Sequence, residues 1–134
     1  MAYNILIVDD SKTIRSMLEK VINLSGVSLG EIKTAGNGKE ALDSLKDNWI
    51  DLVLTDINMP VMGGMELIRA MAGDSMLKSI PVVVISSDGS TQRIKEVEEF
   101  GVSHYLRKPF TPEEVGQVIR TILEEPDGQA NAGK

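Results

Sequence analysis

Residues 5–10 read ILIVDD, residues 52–56 read LVLTD, and residues 82–86 read VVVIS. Each stretch is a short, continuous apolar run that ends in at least one polar residue. Such runs are typical of parallel strands that are buried on both faces of a sheet. Residues 32–35 (IKTA) and 103–106 (SHYL) are weaker strand candidates, because polar residues interrupt them. An edge strand tolerates polar residues, so the sequence places these two at the edges of the sheet.

The segments between the strand candidates have the features of helices. In the first segment, apolar residues recur at the spacing of one helix face, at Ile14, Met17, Leu18, Val21 and Ile22. Asn37 and Ser90 stand where helix N-caps are expected, and Glu40 is predicted to return the cap interaction to Asn37. Thr111 opens the last helix, with a proline and a glutamate in its first turn.

The regular alternation of strands and helices predicts the fold class. It favours an α/β domain with a five-stranded parallel sheet of order 2-1-3-4-5 and helices on both faces. In that order the topological switch point lies between the first and third strands. The carboxyl ends of these strands are therefore where a functional site is expected.

Composition limits the possible functions. The 134 residues include 20 acids, 14 bases, one histidine and no cysteine, with a net charge of −6. This charge disfavours nucleic acid or an anionic membrane as the main partner, and the lack of cysteine excludes disulfides and thiolate metal sites. Without a signal-like N-terminus or a long apolar run, a cytoplasmic domain is expected. Residues 1–124 are predicted to form this domain and residues 125–134 a flexible tail.

Charged and polar side chains follow the predicted strands at the switch-point edge. They are Asp9 and Asp10 after the first strand, Asp56 after the third, Ser86 at the end of the fourth and Lys108 after the fifth. Clustered aspartates raise one another's pKa unless positive charge lies among them. Mg²⁺ prefers oxygen ligands, and a metal ion with an amine suits the spread charge of a phosphoryl group. The sequence therefore predicts a Mg²⁺ and phosphoryl site.

In order and spacing these residues resemble the receiver domain of two-component response regulators, close to the single-domain chemotaxis type. The resemblance rests on Asp9-Asp10, residues 56–64 (DINMPVMGG), Ser86 and residues 108–110 (KPF), and it covers residues 4–123. It implies the flavodoxin-like receiver topology and a phosphoprotein that takes a phosphoryl group from a histidine kinase or a phosphotransfer protein. It also implies a signalling switch that catalyses only its own phosphorylation and dephosphorylation.

The resemblance assigns roles around the metal and the phosphoryl group. Asp56 matches the phosphoacceptor and is also a metal ligand. Asp10 matches a direct metal ligand, and Asp9 one that acts through a metal-bound water. Asn58 matches the position whose backbone carbonyl completes the Mg²⁺ shell. Lys108 matches the amine that contacts the phosphoryl oxygens.

Further positions match the family's switch. Ser86 corresponds to the hydroxyl that binds the phosphoryl group, and Tyr105 to an aromatic residue that moves inward with it. Pro109 corresponds to a proline whose preceding peptide bond is cis. Asp88, like Asn58, falls at a position that tunes the lifetime of the phosphoryl group. The implied output is a protein target that binds the face formed by helix four, strand five and helix five.

Other functions are weighed against this one. A Mg²⁺-dependent aspartyl-phosphate phosphatase needs two aspartates spaced as Asp-x-Asp after strand one, whereas Asp9 and Asp10 are adjacent. A flavin-binding module needs a phosphate loop there, and only 4% of the residues are aromatic. A receiver belonging to a larger DNA-binding regulator stays open, although the length favours a stand-alone receiver read by a partner protein.

Overall fold

A computed structural model describes residues 2–124 of the chain. Five strands alternate with five helices, in the order β1 Tyr3–Val8, α1 Lys12–Asn23, β2 Leu29–Ala35, α2 Gly38–Asp47, β3 Leu52–Thr55, α3 Gly64–Ala72, β4 Val82–Ser86, α4 Thr91–Glu98, β5 His104–Arg107 and α5 Pro112–Leu123. The strands form one parallel sheet of order β2-β1-β3-β4-β5. The predicted fold class and strand order are thus confirmed.

The core consists of two apolar layers, one on each face of the sheet. Alternate residues of β1, β3 and β4 face either α2, α3 and α4 or α1 and α5. Leu6 and Val53 belong to the first layer, whereas Ile5 and Leu54 belong to the second, and all four side chains are at most 1% exposed. Because the central strands are buried on both sides, their sequences are continuously apolar.

Side-chain caps fix where several helices begin. The side chains of Ser11, Asn37, Ser90 and Thr111 each accept a hydrogen bond from the backbone N–H three residues on. The capping box predicted at Thr111 is present. The prediction that Glu40 accepts a hydrogen bond from the backbone of Asn37 is wrong, because Glu40 binds a different residue.

Glu40 stabilises the turn before the helix instead of the cap residue itself. Its Oε1 accepts a 2.8 Å hydrogen bond from the backbone N–H of Gly36, the residue before Asn37. The φ and ψ angles of Asn37, −162° and 175°, are fully extended. The carboxylate therefore helps to fix the chain between β2 and α2.

Some element boundaries differ from the sequence pattern. β2 begins at Leu29 because Leu29 pairs with Tyr3 of β1, a partner that is distant along the chain. α4 ends at Glu98 instead of near Gly101, since the next residues form tighter turns in which Gly101 has a φ of 83°. Among residues 2–124, no helix is long and apolar enough to cross a membrane. The tail predicted for residues 125–134 lies outside the described residues.

Candidate functional site

Three carboxylates lie together at the carboxyl ends of β1 and β3. The two strands are direct neighbours, and Val8 is paired with Thr55, so the residues that follow them, Asp9 and Asp56, lie side by side. One carboxylate oxygen from each of Asp9, Asp10 and Asp56 lies within 4.8 Å of the others. Asp9 is 2% exposed and Asp56 9%, whereas Asp10 is exposed. The predicted cluster at the switch point is therefore present.

Lys108 supplies positive charge to this cluster. Its backbone N–H donates a 2.9 Å hydrogen bond to the carbonyl of Ser86, which places the residue at the end of β4. Its Nζ lies 3.0 Å from Oδ2 of Asp9 and 3.0 Å from Oδ2 of Asp56. Partial burial by itself lowers the pKa of Lys108, but hydrogen bonds and charge from Asp56 and Asp9 outweigh it and raise that pKa above its ordinary value.

Backbone donors hold the remaining oxygens of the two buried carboxylates. Oδ1 of Asp9 accepts a 2.9 Å hydrogen bond from the N–H of Ser11. Oδ1 of Asp56 accepts a 2.6 Å hydrogen bond from the N–H of Ile57. The carboxylates are thus preorganised by their own loops, and they present hard oxygen donors on one rim. This donor set fits Mg²⁺, which takes one or two carboxylates together with other oxygens.

Arg15 is a site residue that the sequence pattern did not single out. Its Nη1 donates a 2.6 Å hydrogen bond to the backbone carbonyl of Asp9, so a second cation lies against the acidic rim. Arg15 follows the helix cap Ser11 by four residues, one helical turn, so its side chain projects towards the end of β1. A basic residue one turn after a strand-end cap is the signal that could have identified it.

The β4–α4 loop connects the buried rim to the surface. Ser86 is fully buried, and its Oγ accepts a 3.2 Å hydrogen bond from the N–H of Asp88. The hydroxyl of Tyr105 donates to the carbonyl of Asp88. The pKa of Tyr105 is raised above its ordinary value, because the effect of burial is larger than the opposing effect of the nearby Ser86 side chain. Ser86 and Tyr105 are therefore linked through Asp88, whose N–H donates to Ser86 and whose carbonyl accepts from Tyr105.

The carboxylate of Asp88 faces the start of α4. Oδ1 accepts a 3.0 Å hydrogen bond from the N–H of Ser90, and Oδ2 lies 3.4 Å from Nε of Arg93. Hydrogen bonds from Ser90 and, to a lesser extent, Arg93 lower the pKa of Asp88. By accepting these hydrogen bonds, Asp88 helps to hold the β4–α4 loop against the start of α4.

Two other predicted residues flank the cluster. Asn58 is exposed in the β3–α3 loop, two residues beyond Asp56. The peptide bond between Lys108 and Pro109 is cis. The structure thus brings Asp9, Asp10, Asp56 and Lys108 together at this rim, with Ser86, Asp88 and Asn58 at the strand end or in the loops that follow, and Tyr105 on β5.

The Lys108→Met variant tests the role of the amine as the countercharge of the cluster. It keeps the aliphatic stem but leaves Asp9 and Asp56 without their cation. We expect unfolding free energy to fall by about 2–3 kcal/mol, less than the ~3–5 kcal/mol for a fully buried pair, because the Lys108 side chain is 22% exposed. The measurement is urea unfolding without divalent cations.

Lys78→Met is the matched control, because Lys78 is exposed and lies away from the cluster. It should change stability by no more than ~0.5 kcal/mol. Added Mg²⁺ should reduce the difference in stability between Lys108→Met and the unchanged chain, since the cation replaces the missing charge, and it should stabilise Lys78→Met and the unchanged chain equally. Equal stability of Lys108→Met and the unchanged chain would show that the amine is not the countercharge.

Known proteins share this fold and much of this sequence. Chemotaxis protein CheY of Pseudomonas aeruginosa is 35% identical over 124 residues, which cover 92% of this chain and 98% of that protein. Chemotaxis protein CheY-3 of Vibrio cholerae is 35% identical over 120 residues, or 90% and 91% of the two chains. The structure of V. cholerae CheY4 matches with a TM-score of 0.83 at 32% identity, over 92% of this chain and 100% of that one. The phosphorylated cyanobacterial phytochrome response regulator RcpA matches with a TM-score of 0.79 at 27% identity, over 92% and 93%.

The model of the response regulator receiver domain matches residues 5–120, a range that contains the acidic cluster, Ser86 and Lys108. Receiver domains bind Mg²⁺ at an acidic cluster of the kind that Asp9, Asp10 and Asp56 form. They are phospho-accepting signalling switches that interact with histidine kinases and downstream targets, and they are not turnover enzymes. These matches do not favour the aspartyl-phosphate phosphatase. The resemblance inferred from the sequence is confirmed: the chain belongs to the response regulator receiver domain family.

Proposed function

We propose that residues 1–124 form a receiver that accepts a phosphoryl group on Asp56 in the presence of Mg²⁺ and then changes a protein-binding surface. The observation that carries this proposal is the cluster of three carboxylates within 4.8 Å, with the Lys108 amine 3.0 Å from two of them. The relatives from P. aeruginosa and V. cholerae are named as chemotaxis proteins, so a chemotaxis pathway is the setting that we propose.

The metal-binding roles that we propose are those that the family resemblance implies. Asp10 and Asp56 would bind Mg²⁺ directly, with the backbone carbonyl of Asn58. Asp9 would act through a metal-bound water. When bound, Mg²⁺ neutralises charge on the carboxylates and on the phosphoryl oxygens.

In the transfer step, Asp56 acts as the nucleophile. A carboxylate oxygen forms the new O–P bond while the P–N bond of a phosphohistidine breaks, and the electron pair leaves with the imidazole of the donor protein. Lys108 would contact the phosphoryl oxygens, a role that the 3.0 Å distance from its amine to Oδ2 of Asp56 supports. The donor is a histidine kinase or a phosphotransfer protein. Loss of the phosphoryl group to water occurs at the same site.

The output is a change in the surface formed by α4, β5 and α5. A phosphoryl group adds negative charge and acceptor oxygens beside Ser86. If the Ser86 hydroxyl turns to donate to that group, its hydrogen bond with the N–H of Asp88 changes, and Tyr105 is hydrogen-bonded to the carbonyl of that same residue. Tyr105 lies on β5 and therefore reports the change to this face, where a downstream protein would bind.

Intact-mass measurement with a small-molecule phosphodonor tests the proposed function. We expect one phosphoryl group per chain in Mg²⁺ and none after chelation, because the clustered carboxylates and the donor's phosphoryl group repel each other without the cation. The adduct should be labile at alkaline pH, as acyl phosphates are. Uptake that ignores Mg²⁺, or an adduct that resists alkali, would rule out the proposed site.

The Asp88→Ala variant tests control of the phosphoryl lifetime. Removing the carboxylate loses the bonds to Ser90 and Arg93 and loosens the loop that carries Ser86. We expect autodephosphorylation to become faster by up to about fivefold, the equivalent of ~1 kcal/mol for one net hydrogen bond. The rate is followed by intact mass after the phosphodonor is removed.

Asp74→Ala is the control for this variant, since Asp74 also accepts a backbone hydrogen bond in a loop, 2.8 Å from the N–H of Met76, but away from the site. Its dephosphorylation rate should equal that of the unchanged chain. An unaltered rate in Asp88→Ala as well would show that Asp88 has no part in the lifetime.

A further inference from the structure

The loop between β3 and α3, residues 57–63, is fixed firmly at its base. The N–H of Gly64 donates a 2.7 Å hydrogen bond to the carbonyl of Ile57, which closes the loop where it enters α3. The N–H of Ile57 donates to Asp56, as described above. Asn58 is the next residue after Ile57, so its orientation depends on the contacts at the base of the loop and on those at its tip.

The tip is a strained turn. The N–H of Met62 donates a 2.7 Å hydrogen bond to the carbonyl of Pro60, two residues back, and the residue between them, Val61, has a φ of 66°. This is a γ-turn with a positive central φ, a rare and strained form. A β-branched residue in this region is an outlier, and such a conformation persists only when its surroundings impose it.

Gly38, the first residue of α2, contacts this turn. Its N–H donates a 2.8 Å hydrogen bond to the carbonyl of Met62. A Cβ at position 38 would lie 2.8 Å from Cγ and 3.0 Å from Sδ of Met62, and 2.9 Å from the Met62 carbonyl oxygen. The glycine is therefore needed for the close approach of the loop tip to α2, and the contact supplies the constraint that the strained turn requires.

We propose that Gly38 and Met62 form a clamp that positions the β3–α3 loop, and with it the carbonyl of Asn58, for binding Mg²⁺ beside Asp56. The inference rests on the Mg²⁺ site proposed above. The base of the loop is anchored at Ile57 and the tip at Met62, and Asn58 lies between them. Gly38 contacts neither the carboxylates nor the phosphoryl position, so it is a positioning residue.

Measurement of Mg²⁺ affinity by calorimetry on the Gly38→Ala variant tests the clamp. We expect the dissociation constant to rise about tenfold, the lower end of the effect of losing a group that orients a metal ligand. Gly73→Ala is the matched control, because a Cβ there meets no atom closer than 3.5 Å. Its Mg²⁺ affinity should be unchanged. An equal affinity in Gly38→Ala and Gly73→Ala would overturn the clamp.

The Met62→Ala variant keeps the test decisive if Gly38→Ala does not fold. It removes the side chain that packs over Gly38 but keeps the backbone hydrogen bond, so we expect a smaller loss of Mg²⁺ affinity, about two- to fivefold, with little change in urea unfolding. An affinity equal to that of the unchanged chain would overturn the clamp. In the double variant Gly38→Ala/Met62→Ala, the fold increase in the Mg²⁺ dissociation constant should be smaller than the product of the increases in the two single variants, because the two residues are in contact.

The clamp and the proposed function fail in different ways. If Mg²⁺-dependent uptake at Asp56 occurs but neither Gly38→Ala nor Met62→Ala weakens Mg²⁺ binding, the clamp is wrong and the function stands. If both variants weaken Mg²⁺ binding but no phosphoryl group is accepted at Asp56, the clamp stands and the function falls. Each readout thus bears on one of the two claims.

Discussion

The Asp56→Asn variant is expected to lose all Mg²⁺-dependent phosphoryl uptake. The substitution keeps the size of the side chain and leaves an oxygen that can still accept the N–H of Ile57. The neutral amide, however, is not a nucleophile for phosphorus and is a weaker metal ligand than the carboxylate. Asp9 and Asp10 remain beside it, so the variant distinguishes attack by Asp56 from attack by one of the other two carboxylates of the cluster.

The measurement is intact mass after incubation with a small-molecule phosphodonor and Mg²⁺. Asp47→Asn is the matched control, because Asp47 is an exposed carboxylate at the end of α2 and away from the cluster. The control should take up one phosphoryl group as the unchanged chain does. A stable addition that persists in Asp56→Asn would mean that another group is the acceptor and would overturn the assignment.

The fold could be predicted because its central strands carry an unambiguous signal. A run such as VVVI is typical of a strand covered on both faces, and the three runs of this kind identify the central strands β1, β3 and β4. The location of the site followed from the same reasoning, since parallel strands bring Asp9 and Asp56 to one edge. The individual roles of the residues at that edge came from the family resemblance, and they stay predictions until they are tested.

What could not be predicted depends on contacts between distant parts of the chain. Nothing in the local sequence shows that Glu40 caps Gly36 instead of Asn37, because both N–H groups are within reach of its side chain. The left-handed conformation of Val61 is likewise hidden, since a β-branched residue disfavours it. That conformation depends on the contact between Gly38 and Met62, which are 24 residues apart along the chain.

Gly64, the first residue of α3, has a strict steric role. A Cβ on Gly64 would overlap the carbonyl oxygen of Asp56 and would lie 2.8 Å from Cα of Ile57. These are backbone atoms, so no side-chain rotation can relieve the overlap. The start of α3 therefore packs directly on the peptide between Asp56 and Ile57.

The Gly64→Ala variant should consequently be strongly destabilised. Alanine is the better helix former by about 1 kcal/mol, so helix propensity alone predicts a gain in stability. The overlap with the backbone of Asp56 outweighs this gain, and we expect a net loss of about 3 kcal/mol in the free energy of unfolding, at the upper end for overpacked sites. Urea unfolding measures the loss.

The same variant should also impair phosphoryl uptake in the molecules that stay folded. Relief of the overlap has to move the Asp56 peptide or the start of α3, and either movement displaces the Asp56 carboxylate from Lys108. Gly73→Ala, at the other end of the same helix, should be close to neutral in both measurements, because its Cβ makes only ordinary contacts. A Gly64→Ala variant as stable and as active as Gly73→Ala would show that the backbone around Asp56 yields freely, and the preorganised site described above would be wrong.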